Sequence, residues 1–195
     1  MSAQAYDQEE AVFAESIKEL GGDVVARPSK DQDINQHWDI AVTLPGNPYM
    51  QSPRRVDVKG EKYHTQNNDT TKGKTVWWEW VAVIRKDESY SAAVVKTRAE
   101  RIGWAIPNGL NRIIAQRLGD YYYCIEVAHA YEAITQKLRT PPNPFAAWDG
   151  AWNKLPYAQY SRYQRDDLCT AIPRADFMQL AQFTIKAKQK KETNQ

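Results

Sequence analysis

Apolar positions recur at helical spacing near the start of the chain. From residue 8 to 20, Val12, Phe13, Ile17 and Leu20 fall close to one face, and Gly21-Gly22 supplies a stop. The pattern then shortens to strand length. Residues 23–27 read as a strand, followed by a polar turn from Pro28 to Gln36. Residues 39–44 alternate and are closed by Pro45-Gly46-Asn47-Pro48, and residues 55–59 form the next strand. Residues 60–75 hold almost nothing apolar and read as an exposed loop. Residues 76–83 are apolar on both faces apart from Glu79, as in a central sheet strand. Residues 112–118 and 121–127 read as a hairpin across Gly119-Asp120, and residues 130–138 as a helix ending before a proline cluster at 140–144. A last strand over 168–172 and a last amphipathic helix over 174–183 complete the pattern. This order predicts an α/β fold, with a mixed central sheet flanked by helices in one domain over 1–185. Residues 186–195 read as a basic, disordered tail.

Composition changes this picture little. The chain has 195 residues, 42% hydrophobic and 26% charged, which is ordinary for a soluble globular protein. A net charge of +2 does not by itself argue for nucleic acid. Its placement says more, because Lys62, Lys72 and Lys74 fall in the polar loop, and Lys186, Lys188, Lys190 and Lys191 near the end. Solvated surface and a frayed tail are the first reading of these lysines. Seven tryptophans and eleven tyrosines are many, and core packing takes most of them. Cys124 and Cys169 lie in apolar stretches, as buried reduced thiols do. The first residues show no signal-peptide pattern and no apolar run is long enough to span a bilayer, so the expected compartment is cytoplasmic, without membrane contact. No glycine-rich phosphate loop and no Gly-x-Ser-x-Gly elbow is present, which argues against ATP hydrolysis and serine-esterase chemistry.

The chemistry concentrates in Trp38-Asp39-Ile40-Ala41-Val42 and Arg55-Val56-Asp57-Val58-Lys59-Gly60. One carboxylate heads an apolar run, and a second sits two residues before a lysine in another. Side chains alternate along a strand, so Asp57 and Lys59 share one face while Val56 and Val58 share the other. Two acids and an ammonium on neighbouring strands suit a divalent-metal phosphodiesterase: the acids hold a hard cation and the ammonium orients water or steadies a phosphate. Blander readings exist beside it. Asp57 and Lys59 also read as an exposed pair on an edge strand, Asp39 as the cap of a turn, and Glu10 as a first-turn helix acid. Glu79, between two tryptophans, reads as half of a structural ion pair before an auxiliary acid. His37 and His64 have no second ligand at zinc spacing.

A leading helix with a glutamate, a strand acid, and an Asp-x-Lys on the next strand resemble the PD-(D/E)xK nuclease superfamily. Asp39 matches the first strand acid, Asp57 the second and Lys59 the lysine. Glu10 best matches the helix glutamate, ahead of Glu9 and Glu15. Trp77-Trp78-Glu79 with Gly103-Trp104-Ala105-Ile106 is similar to a strand pair of virus-associated members, and residues 162–177 to their closing strand and helix. The proline that names the family is replaced by His37-Trp38.

The resemblance implies a restriction-endonuclease-like sandwich and metal-dependent cleavage of nucleic acid, DNA ahead of RNA. It implies Mg²⁺ or Mn²⁺ held by Asp39, Asp57 and the carbonyl of Val58. Lys59 then orients the attacking water, Glu10 holds a water or a second ion, and Lys62, Lys72 and Lys74 contact phosphates. A junction-resolving member is a homodimer with two sites, and a virus-encoded one works in the host cytoplasm. The rival readings are a nuclease-like fold that only binds nucleic acid or protein, and a small interaction protein.

Overall fold

A computed structural model describes residues 3–60, 75–83, 101–102, 104–138, 156–157, 159–161 and 168–189. Within them the protein is mixed α/β, and the chain divides into two compact units. The first comprises residues 1–61, 109–126 and 181–195, and the second residues 62–108 and 127–180. Among the described residues no helix is long and apolar enough to cross a membrane.

The first unit is a helix on a six-stranded sheet. Helix α1 (Ala3–Glu19) leads into β1 (Asp23–Ala26), a short α2 (Lys30–Gln36), β2 (Ile40–Thr43) and β3 (Arg54–Lys59). After the second unit the chain returns as β6 (Ile113–Leu118) and β7 (Tyr121–Glu126), and later as β10 (Phe183–Lys186). The strand order is β1-β2-β3-β6-β7-β10. Every neighbouring pair is antiparallel except β3 and β6, which run parallel.

Strand alternation explains the core. Val56 and Val58 of β3, Ile40 and Val42 of β2, Ile113 and Ala115 of β6, and Tyr122 and Cys124 of β7 pack with Phe13 and Ile17 of α1. The Phe13 ring meets Tyr122 edge-on at 4.8 Å.

The end of α1 is a Schellman motif. Gly22 N–H donates to Ile17 O and Gly21 N–H to Lys18 O, with Gly21 at φ +79°. Gly22 also lies so close to β2 that a Cβ there would sit 2.4 Å from Thr43 O.

Several stretches differ from the hydropathy reading, and α1 begins at Ala3 instead of residue 8, which puts Glu10 beyond its first turn. The expected turn at 28–36 contains helix α2, capped by Ser29, whose hydroxyl accepts from Gln32 N–H while the Gln32 side chain accepts from Ser29 N–H. It shows almost no apolar stripe, so the helical period is silent there. The expected helix over 174–183 stops at Leu180. Phe183, Thr184, Ile185 and Lys186 then alternate as β10, with Ile185 buried and Thr184 and Lys186 exposed. The basic tail expected from residue 186 therefore begins inside a strand. Ala187 beyond it is buried, and its N–H donates to Asp120 O.

The second unit carries β4 (Thr75–Val83), β5 (Arg101–Ile102), β8 (Gln159–Ser161) and β9 (Leu168–Pro173) as an antiparallel sheet ordered β5-β4-β9-β8. Helices α3 (Val127–Thr135) and α4 (Arg174–Leu180) belong to it. Helix α3 starts three residues before the expected 130, because Val127, Ala130 and Ile134 form its buried face. Trp78 is fully buried against Trp104 and Phe177, Ala105 N–H donates to Glu79 O, and Tyr157 donates to Asp176 at 2.6 Å. Cys124 in the first unit and Cys169 in the second are buried and form no disulfide, as expected. Burial pushes the Cys124 thiol up, away from thiolate chemistry.

Candidate functional site

Strand pairing builds the site. Ile40 stands opposite Val56, and Asp39 N–H donates to Val56 O at 2.8 Å. Strand β3 runs on to Lys59, past the start of β2. The Val58 N–H at this overhang donates to the side chain of Asp39, whose Oδ2 accepts it at 2.6 Å. That bond brings the Asp39 carboxyl to the strand that bears Asp57. In a strand the N–H and C=O of one residue face the same neighbour. The Val58 carbonyl therefore leaves β3 on the side where Asp39 lies.

Asp57 is 1% exposed, on a strand between β2 and β6. The reading of Asp57 and Lys59 as an exposed edge pair is thus excluded. Lys59 Nζ lies 2.5 Å from Asp57 Oδ1. The other oxygen, Oδ2, is buried, and among the described residues it has no hydrogen-bond partner.

The two acids interact. The Asp39 carboxyl is pushed up to about 8, first by burial and then by the negative charge of Asp57; Glu10 adds to the rise. Lys59 and the Val58 N–H pull the other way without cancelling it.

The three helix glutamates separate cleanly. Glu10 acts on Asp39 through its charge and has Arg27 at 3.5 Å. Glu9 accepts from the Tyr122 hydroxyl at 2.5 Å and from Arg117 at 3.1 Å, on the core side of β6 and β7. Glu15 pairs with Lys18 and Lys188. Of the three, Glu10 is the one whose charge adds to the rise of the Asp39 carboxyl.

Two residues were not foreseen. Arg112 is 2% exposed, donates to His37 O at 2.9 Å, and feels the charge of Asp57. It ties the start of β6 to the corner that presents Asp39, where His37 caps α2 at φ +53°. Gln116, opposite Lys59 on β6, donates from Nε2 to the carbonyls of Lys59 and Gly60. Both are polar residues in or beside the apolar run of β6, a signal of the same kind that marked Asp39.

The structure thus gathers Asp39, Asp57, Lys59 and the Val58 backbone at one place, with Glu10 in electrostatic reach. Lys62, Lys72, Lys74 and His64 lie outside the described residues. Glu79 is half-buried on β4 of the second unit, and His129 is exposed on α3. Among the described residues no three His, Cys, Asp or Glu side chains form a metal-ligand cluster. The donor set on offer is two carboxylates and a backbone carbonyl. Its chemistry fits a hard cation: a buried carboxylate oxygen without a partner among the described residues stands beside an acid whose ionisation is suppressed by burial and by the charge of Asp57. No family model matches the chain, and no curated protein or solved structure matches it.

Proposed function

We propose that this chain is a metal-dependent nuclease of the PD-(D/E)xK type that hydrolyses phosphodiester bonds in DNA. One observation carries the reading: the Val58 N–H holds half-buried Asp39 against the strand of buried Asp57, one of whose carboxylate oxygens has no partner among the described residues. A leading helix with Glu10, then Asp39 at the head of β2, then Asp57 and Lys59 on β3 supports a restriction-endonuclease-like arrangement.

Asp39, Asp57 and the Val58 carbonyl would hold Mg²⁺ or Mn²⁺. Such an ion lowers the pKa of water and offsets charge on a phosphoryl oxygen. Lys59 presents an ammonium with three donors to the phosphate and the incoming water. Glu10 accepts a hydrogen bond from that water and aligns it. Gln116 fixes the end of β3 and so the direction of Lys59. Lys62, Lys72 and Lys74 add phosphate contacts that carry affinity without sequence preference.

Cleavage of plasmid, single-stranded and four-way-junction DNA with Mg²⁺, Mn²⁺ or EDTA tests this. Cutting is expected with metal and lost in EDTA, and lost in Asp57→Ala and Lys59→Ala while circular dichroism stays native. Binding without cutting in every metal would instead make the protein a binding module. Activity retained in either variant would overturn the assignment.

A further inference from the structure

A cleft of about 400 Å³ in the first unit is lined by Trp38, Ala41, Ser52, Arg54, Arg55 and Asn111, among others. Two of its walls run into the acid pair. Trp38 precedes Asp39, and Arg55 lies two residues before Asp57 on the same face of β3. The Arg55 guanidinium sits over the Trp38 ring, 5.4 Å from its centroid. No carboxylate among the described residues pairs with it. Arg54 differs, because Glu126 engages its Nη2.

A cation laid on an indole keeps its charge and is already ordered, which suits it to a planar grip on phosphate. Trp38 is only 4% exposed, so it holds Arg55 rather than stacking on a base. Two residues along a strand span about 7 Å, close to the step between successive phosphates of one nucleic-acid strand. Ser52 and Asn111 add a hydroxyl and an amide.

We infer that this cleft binds the phosphodiester group next to the one being cut, with Arg55 as its anion-binding side chain; the inference rests on the nuclease reading of the acid pair. The acids and Arg55 then address neighbouring phosphates of the same strand, and Arg55 sets the register of the substrate without touching the reacting bond.

The test is fluorescence anisotropy of a labelled single-stranded DNA in Ca²⁺ over a salt series, alongside cleavage in Mg²⁺. Arg55→Ala is expected to weaken binding about tenfold, the loss of one charged hydrogen bond. It should also lower the slope of log affinity against log salt by about one. In cleavage, KM rises while kcat holds. Arg55→Lys restores the slope and only part of the affinity, and Lys18→Ala, exposed on α1, changes neither. Arg55→Gln, long enough to cover Trp38, carries the same test if Arg55→Ala fails to fold. An unchanged slope in the Arg55 variants, with the wild type still cutting DNA, overturns the cleft and leaves the nuclease reading standing. A lowered slope with no cutting in any metal keeps the cleft and removes the nuclease reading. Inorganic phosphate that displaces the DNA as well as an equal concentration of DNA phosphate marks a site for free anions and also overturns the inference.

Discussion

The side chain of Asp39 accepts the backbone N–H of Val58 at 2.6 Å, where β3 has outrun β2. The carboxylate thus takes the place of a missing strand partner. The same bond holds it beside Asp57, in a setting that resists its ionisation. A group placed there for stability alone would be a neutral acceptor. An acid there costs stability unless a cation joins it.

Asp39→Asn separates the two roles. The Asp39 carboxyl rises from its ordinary value of 3.8 to about 8 in the folded protein. The metal-free fold therefore holds this proton more tightly than the unfolded chain does. Its stabilising contribution is full below the unfolded value and is lost as pH rises through about 8. Thermal melts without metal should show wild-type stability falling across that window. Asp39→Asn should flatten the fall and gain about 1–2 kcal/mol at the alkaline end, while cleavage is abolished. A variant less stable than wild type at alkaline pH would contradict the like-charge account.

Glu10 and Glu9 are neighbours with opposite expected phenotypes. Glu10→Gln should lower kcat by about ten- to a hundredfold and leave the melting temperature nearly unchanged. Glu9→Gln should cost about 1–3 kcal/mol through its bonds to Tyr122 and Arg117, with kcat preserved in the folded fraction. Denaturant melts paired with single-turnover cleavage distinguish them. The reverse pattern would move the helix acid from Glu10 to Glu9.

Gly22→Ala tests the packing that seats α1. Its Cβ would lie 2.4 Å from Thr43 O and 2.8 Å from Ile17 Cγ2. Relieving that overlap should cost about 1–3 kcal/mol, read as a lower urea midpoint at unchanged slope.

Much of the first unit was legible in the sequence because its strands alternate cleanly. Val56 and Val58 face the core and Asp57 and Lys59 the other side, as the period of two requires. The hairpin across Gly119-Asp120 pairs Leu118 with Tyr121 as its turn residues suggested. Helix α2 escaped because its polar sequence has no stripe, although Ser29 and Gln32 spell its cap. Strand β10 escaped because four alternating residues after α4 fit the end of a helix equally well. The parallel pairing of β3 with β6 is a long-range choice that no local pattern reports. Arg112 and Gln116 join the site only through that pairing, so neither could be attached to Asp57 and Lys59 beforehand.

The central claim is that Asp39 and Asp57 share one divalent cation. Anomalous diffraction from a crystal soaked in Mn²⁺ tests it most directly. One peak within coordination distance of oxygens from both carboxylates, absent in Asp57→Asn, is the predicted result. A fully soaked crystal with no peak between Asp39 and Asp57, and with Lys59 still closed on Asp57, would contradict the account.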